Sequence, residues 1–177
     1  MYLMLPVIMD HMIPDKYCKD GKTYTICNLY FDTEEFDVIR NSLKKPFYKE
    51  KLRMRSYGFP EDGSSPVFLE LKKKINGIVT KRRAKLTYQQ AVYFLNGGRI
   101  PEGASYMTRQ VLREISYYLD RHDVSPTMMI TYDRTAFFDR ENRAFRLTFD
   151  QNLRCYERED AFERRSEGRL LLPDYAR

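Results

Sequence analysis

Val67-Phe-Leu-Glu-Leu-Lys-Lys-Lys-Ile-Asn-Gly-Ile-Val-Thr-Lys-Arg-Arg-Ala-Lys85 is the stretch on which the fold turns. Two runs rich in apolar and basic residues, 67–75 and 78–85, flank Asn76-Gly77. A two-residue type I′ turn needs positive φ at both central positions, which Asn-Gly supplies, so the spacing predicts a β-hairpin. Such a turn sets Ile75 opposite Ile78 and, counting back, Lys72 opposite Lys81 and Glu70 opposite Arg83. Lys72 and Lys81 then share one face, while Leu69, Leu71, Ile75, Ile78 and Ala84 share the other, where helices can pack. Like charges directly opposed in a sheet destabilise it by up to about 1 kcal/mol, and a bound anion would relieve this pair.

Working outward, residues 49–57 alternate between charged and less polar types and predict a strand. Residues 23–32, after an Asp20-Gly21 turn signal, predict another. Thr33 is expected to cap a helix with Glu34 and Glu35 in its first turn, Phe36, Ile39 and Leu43 on one face, and its end before Pro46. Thr87 with Gln90 forms a capping box for a helix ending at Gly97-Gly98. Val111, Leu112, Ile115, Tyr118 and Leu119 mark the buried face of a second helix over 105–122. Strands are expected at 127–138 and 144–150, continuing through 153–156, with a polar turn at 139–142 between them. Without an internal repeat or linker, the chain reads as one α+β unit.

The chain has 177 residues, 42% hydrophobic and 14% aromatic, enough to close a core, and its net charge of +6 suits a polyanionic partner. Nucleic acid, phosphate polymer and membrane surface all meet that description. Cys18, Cys27 and Cys155 are odd in number and widely spaced, which implies neither a disulfide framework nor a zinc site and fits a reducing cytoplasm. His11 and His122 lie far apart, which argues against histidine chemistry. Residues 1–9 are apolar but short and contain Pro6, so they read as part of a core helix, and no transmembrane segment is expected.

Alternation places Lys51, Arg53 and Arg55 on one face of their strand and Leu52 and Met54 on the other. Arg134, between Tyr132 and Ala136, and Arg146, alternating with Phe145, Leu147 and Phe149, repeat the theme. For any single strand, a solvated basic face is the ordinary reading. Recurrence over five segments points instead to cations gathered on one surface. A barrel closed with that face inward would need water, carboxylates or a polyanion in its lumen.

Lys51-Leu-Arg-Met-Arg-Ser-Tyr-Gly58, Phe68-Leu-Glu-Leu-Lys72, Val79-Thr-Lys-Arg-Arg83, Tyr132-Asp-Arg-Thr-Ala-Phe137 and Arg146-Leu-Thr-Phe-Asp150 together resemble the VTC domain. This is the polyphosphate polymerase domain of the vacuolar transporter chaperone family, here closest to bacterial single-domain members. Asn28-Leu-Tyr-Phe-Asp-Thr33 carries the likeness through most of the chain. The family is similar to the CYTH-like triphosphate tunnel metalloenzymes. The resemblance therefore implies an α+β fold with an antiparallel β-barrel or tunnel and helices packed outside, as a single domain over 1–177. It implies an ATP-dependent transfer of the γ-phosphate to a growing polyphosphate chain, with ATP and inorganic polyphosphate as partners and Mn2+ or Mg2+ as cofactor. By the same resemblance Arg53, Arg55, Lys72, Lys81, Arg134 and Arg146 are the catalytic, phosphate-binding residues, with Arg83 a further contact beside Lys81. Their implied role is charge stabilisation.

Glu70 is the carboxylate placed to ligate the metal, or alternatively to partner Lys72 and Arg83; Asp150 is a second carboxylate or a turn residue. The family pattern opens with a strand bearing glutamate and lysine before its first helix. It continues after Leu170-Leu-Leu-Pro173 into another such strand. This sequence begins within the helix and stops at Arg177, so it is expected to be truncated at both ends and to lack the first and last tunnel strands. Those same omissions suit a non-catalytic polyphosphate- or nucleotide-binding module; a tunnel triphosphatase or adenylate cyclase is the third reading. Nucleic acid is not expected, because the basic strands show no interleaved aromatic platform.

Overall fold

The computed structural model describes residues 5–18, 22–157 and 168–172. In chain order these form α1 (Leu5–His11), β1 (Met12–Pro14), β2 (Tyr24–Asp32), α2 (Asp37–Leu43), β3 (Tyr48–Tyr57), β4 (Pro66–Ile75) and β5 (Ile78–Thr87). There follow α3 (Tyr88–Leu95), α4 (Tyr106–Arg121), β6 (Ser125–Asp139), β7 (Arg146–Glu157) and β8 (Arg169–Leu170). The strands make one sheet in the order β5-β4-β3-β2-β6-β7-β8, with β1 added to β6. Every pairing is antiparallel. The α+β antiparallel architecture is as expected, and among the described residues no pairing joins β5 to β8.

The hairpin of β4 and β5 has the register that its turn dictates: Ile75 opposite Ile78, Lys72 opposite Lys81 and Glu70 opposite Arg83. Asn76 and Gly77 take φ values of 45° and 83°, the positive pair a type I′ turn requires. Leu69, Leu71 and Ala84 are buried on the far face, together with Leu52 and Met54 of β3 and Leu29 of β2. Helices α3 and α4 cover that face. The Thr87 capping box opens α3, and Ser105 caps α4 by accepting from the Thr108 N–H. Val111, Leu112, Ile115 and Tyr118 then enter the main core, as the helical spacing demands.

Two expectations about apolar faces fail. Ile75 and Ile78 are exposed, because the hairpin tip projects beyond the helices that cover the rest of its apolar face. The helix after β2 is shorter than its pattern suggests. Phe36 adopts a left-handed φ of 59°, the helix begins at Asp37, and Phe36, Ile39 and Leu43 are exposed. The cause is local competition by side chains for orphan N–H groups. The carboxylate of Asp32 accepts from Val38 N–H at 2.8 Å and Ile39 N–H at 3.0 Å, and Thr33 Oγ1 accepts from Asp37 N–H at 2.9 Å.

At the other end of the sheet, Ile8 of α1 packs with Met12 and Phe137 in a small second core, so the apolar start does contribute a core helix. β1 escapes sequence reading because it is three residues long and ends in a proline. β7 runs unbroken through both segments expected for it. The Asp20-Gly21 turn signal lies outside the described residues. Among the described residues no helix is long and apolar enough to cross a membrane.

Candidate functional site

Residues opposite one another in a ladder point to the same side of a sheet, so the register assembles the polar face row by row. Asn28, Arg55, Phe68 and Lys85 stand across β2 to β5. Tyr30, Arg53, Glu70 and Arg83 make the next row. Lys51, Lys72 and Lys81 make the third, on β3 to β5. Arg134 faces both Tyr24 and Asp150, and Arg146 lies opposite Phe138. Helices α3 and α4 lie on the opposite side, so every basic residue singled out from the sequence sits on the face they leave uncovered; α2 packs at the Lys51 end of that face, where Lys49 Nζ donates to Ser42 O and Oγ, each at 3.0 Å.

Glu70 is the hub of this face. Its carboxylate, 1% exposed, accepts from Arg53 Nε at 2.6 Å on one oxygen; Arg83 Nε at 2.7 Å and Lys81 Nζ at 2.9 Å approach the other. Burial pushes the Glu70 carboxyl up, but Lys81, Arg53 and Arg83 more than reverse this and hold it at about 2. Lys81 therefore finds its relief in Glu70. Lys72 and Lys51 have no carboxylate partner among the described residues. The Lys51 amine is drawn below its ordinary range by burial and by the like charges of Lys49 and Lys72, partly offset by Asp32.

Arg55 is 9% exposed, and its Nε donates to Asn28 Oδ1 at 2.8 Å. No carboxylate partners it among the described residues. A buried guanidinium satisfied only by an amide leaves most of its desolvation uncompensated. Seven cations, Lys51, Arg53, Arg55, Lys72, Lys81, Arg83 and Lys85, thus share three adjacent rows with the one carboxylate of Glu70.

A second group lies toward the other end of the strands. Arg134 forks onto Asp150, with Nε to Oδ1 at 2.7 Å and Nη2 to Oδ2 at 2.8 Å, which raises its pKa. Arg146 donates to Asp15 Oδ2 and to Tyr24 Oη, each at 3.1 Å. Asp150 is therefore an arginine partner within a strand and not a turn residue.

Several members of the face were missed. Tyr30 Oη accepts from Arg53 and Tyr57 Oη from Arg83, each at 3.4 Å. Burial pushes the Tyr57 phenol up, yet Arg83 draws it below its ordinary range. Asn28, Tyr30 and Tyr57 were legible in principle, since each shares its strand's parity with a neighbour of the arginines; Asp15 lies in a connection without periodicity and gave no signal. Aromatic rings also gather on this face, from different strands. Tyr24 and Tyr57 stand 6.1 Å apart, Tyr57 and Phe68 5.7 Å, and the Arg83 guanidinium lies 4.2 Å above Phe68. No single strand interleaves these rings; the register does.

The carboxylates of this face do not fit a divalent-metal site. Glu70 and Asp150 each present both oxygens to cations, and Asp15 holds Arg146. A metal ion would have to displace several positive groups from one carboxylate. Among the described residues no three His, Cys, Asp or Glu side chains gather as a ligand set. Glu70 takes the ion-pair alternative with Arg83 as expected, but with Arg53 and Lys81 in place of Lys72.

The family described as the VTC domain matches residues 1–176. Vacuolar transporter chaperone complex subunit 2 of Saccharomyces cerevisiae is 29% identical over 160 residues, covering 78% of this chain and 19% of that protein. The chain thus spans about a fifth of the length of this relative. Among solved structures, a Bacillus halodurans protein provisionally named an adenylate cyclase is 16% identical with a TM-score of 0.43, covering 78% of this chain and 66% of that one.

Proposed function

The chain belongs to the VTC domain family, and from that premise we propose that its basic face binds ATP and inorganic polyphosphate and transfers the γ-phosphate of ATP to the polymer end. The observation that carries this reading is the set of seven cations in three rows around the single carboxylate of Glu70. Such a surface is stable when phosphate oxygens supply the missing negative charge, and arginine forks suit them. Lys51 and Lys72, without carboxylate partners, and Arg55, held by an amide, are the first to engage the phosphates. Arg53, Lys81 and Arg83 share Glu70 and are presented by it in fixed positions. Arg134 and Arg146 extend the track toward the far end of the strands.

In the transfer, an oxygen of the terminal phosphate of the polymer attacks the γ-phosphorus. The bond from that phosphorus to the β–γ bridging oxygen breaks, and ADP leaves with the electron pair. The protein supplies alignment and positive charge to the equatorial oxygens, which is most of what phosphoryl transfer requires. Since the carboxylates here are occupied by cations, Mn2+ or Mg2+ would enter this scheme with the nucleotide, to supply further positive charge, and not through these side chains. The three cysteines are free and buried, which supports a cytoplasmic setting.

A non-catalytic polyphosphate-binding module is the second reading, favoured by the full engagement of Glu70, Asp150 and Asp15 with cations. Incubation with ATP and Mn2+, with gel detection of long-chain polyphosphate, separates the two. Polymer supports the polymerase. Tripolyphosphate binding by calorimetry without polymer supports the module, release of free phosphate alone supports a triphosphatase, and absence of binding overturns all three.

A further inference from the structure

Residues 43–49 and 72–81 meet at one end of the sheet. Asn76 N–H donates to Phe47 O at 2.9 Å, fixing the segment before β3 against the hairpin turn. Tyr48, Ile75 and Ile78 face one another across β3, β4 and β5. Leu43 is 73% exposed, Phe47 69% and Ile78 71%, and Tyr48, Ile75 and Val79 are exposed beside them. Scattered apolar side chains on a surface are ordinary, but six grouped at one sheet end call for a partner.

The charge pattern identifies the partner. Residues 43–49 contain three lysines and residues 72–81 contain four, with no carboxylate in either segment. Lys73 and Lys81 are paired with glutamates elsewhere in the fold. Lys44, Lys45 and Lys74 have no such partner among the described residues, and Lys72 belongs to the phosphate-binding face. A free polyanion would satisfy the lysines but offers nothing to Phe47 or Ile78. An apolar protein groove would cover Phe47 and Ile78 but strip water from unpaired ammonium groups. The surface of an anionic bilayer does both: apolar tips enter the interfacial layer while lysine stems reach back to lipid phosphates.

We propose that this end of the sheet, formed by the hairpin turn and the segment before β3, docks the protein on an anionic membrane surface. The contact is peripheral and independent of the phosphate-transfer reading. It directs toward the bilayer the end of the basic face that carries Lys51, Lys72 and Lys81.

Sedimentation of the full chain with vesicles tests the idea, using phosphatidylcholine alone and phosphatidylcholine with roughly a third phosphatidylserine. The protein is expected to pellet with the anionic vesicles and to remain in solution with neutral ones. Phe47→Ser with Ile78→Ser, and separately Lys44→Glu with Lys45→Glu, should each lower vesicle affinity by about tenfold or more, with tripolyphosphate affinity unchanged. Absence of anionic-vesicle binding overturns the proposal. So does wild-type binding by the Phe47/Ile78 variant, or displacement of the protein by saturating tripolyphosphate, since either outcome places the adhesion on the phosphate grip. Because the substituted side chains are exposed, unchanged melting temperatures are expected; if the serine variant fails to fold, the charge-reversal variant decides alone.

Discussion

Glu70 shows how one side chain organises a surface it does not dominate. Its folded-state pKa lies near 2, below the ordinary value of 4.5, so it stabilises the fold fully above about pH 4.5, and that contribution is lost as pH falls toward 2. Glu70→Gln is expected to cost roughly 3 kcal/mol at neutral pH, the low end for opening a buried pair, because Lys81 and Arg83 reach solvent. Melting curves between pH 7 and pH 2 check this: the variant should lack the acid-side decline assigned to Glu70. It should also retain tripolyphosphate binding, since removing the carboxylate adds net positive charge. Loss of binding in Glu70→Gln would point to a direct ligand role instead. Arg53→Ala with Arg55→Ala is expected to weaken tripolyphosphate binding at least about tenfold in calorimetry, through two lost charge-assisted contacts.

At the scale of elements, the β4–β5 hairpin carries a conflict that its turn enforces. Lys72 and Lys81 are opposed because Asn76-Gly77 admits one register, and only Lys81 is paired with Glu70. Lys72→Ala should therefore stabilise the unliganded protein slightly, by up to about 1 kcal/mol, while lowering tripolyphosphate affinity. Thermal melting and calorimetry on the same sample should move in opposite directions; affinity unchanged by the substitution would remove Lys72 from the grip. On the other face, α4 fastens the sheet through residues with no role in binding. Leu112 is fully buried in the main core, and Leu112→Ala is expected to cost about 3 kcal/mol, read by denaturant unfolding. The tripolyphosphate affinity of the folded fraction should not change.

The whole molecule divides its labour between the faces of one sheet. One face buries apolar side chains under α3 and α4; the other concentrates positive charge within three adjacent rows. If that concentration drives recognition, tripolyphosphate affinity should drop at least about tenfold as salt rises from about 0.05 M to about 0.5 M, because the Debye length shortens several-fold. Calorimetry across that range gives the slope, and salt-independent binding would contradict a charge-driven grip.

The sequence by itself determined the hairpin and its register, the capping box of α3, the buried stripe of α4 and the sidedness of each basic strand. These follow from turn chemistry, from helical and strand periods, and from side chains competing for backbone groups nearby, all within a few residues. Tertiary structure alone decided which strands lie side by side, and with that the rows joining Asn28 to Arg55, Tyr30 to Arg53, and Glu70 to three cations. It also decided that Asp15 reaches Arg146 across 131 residues of sequence, and that the apolar positions of α2 and the hairpin tip stay uncovered. Cross-strand neighbours are set by a long-range free-energy balance over the whole core, and no local period encodes them.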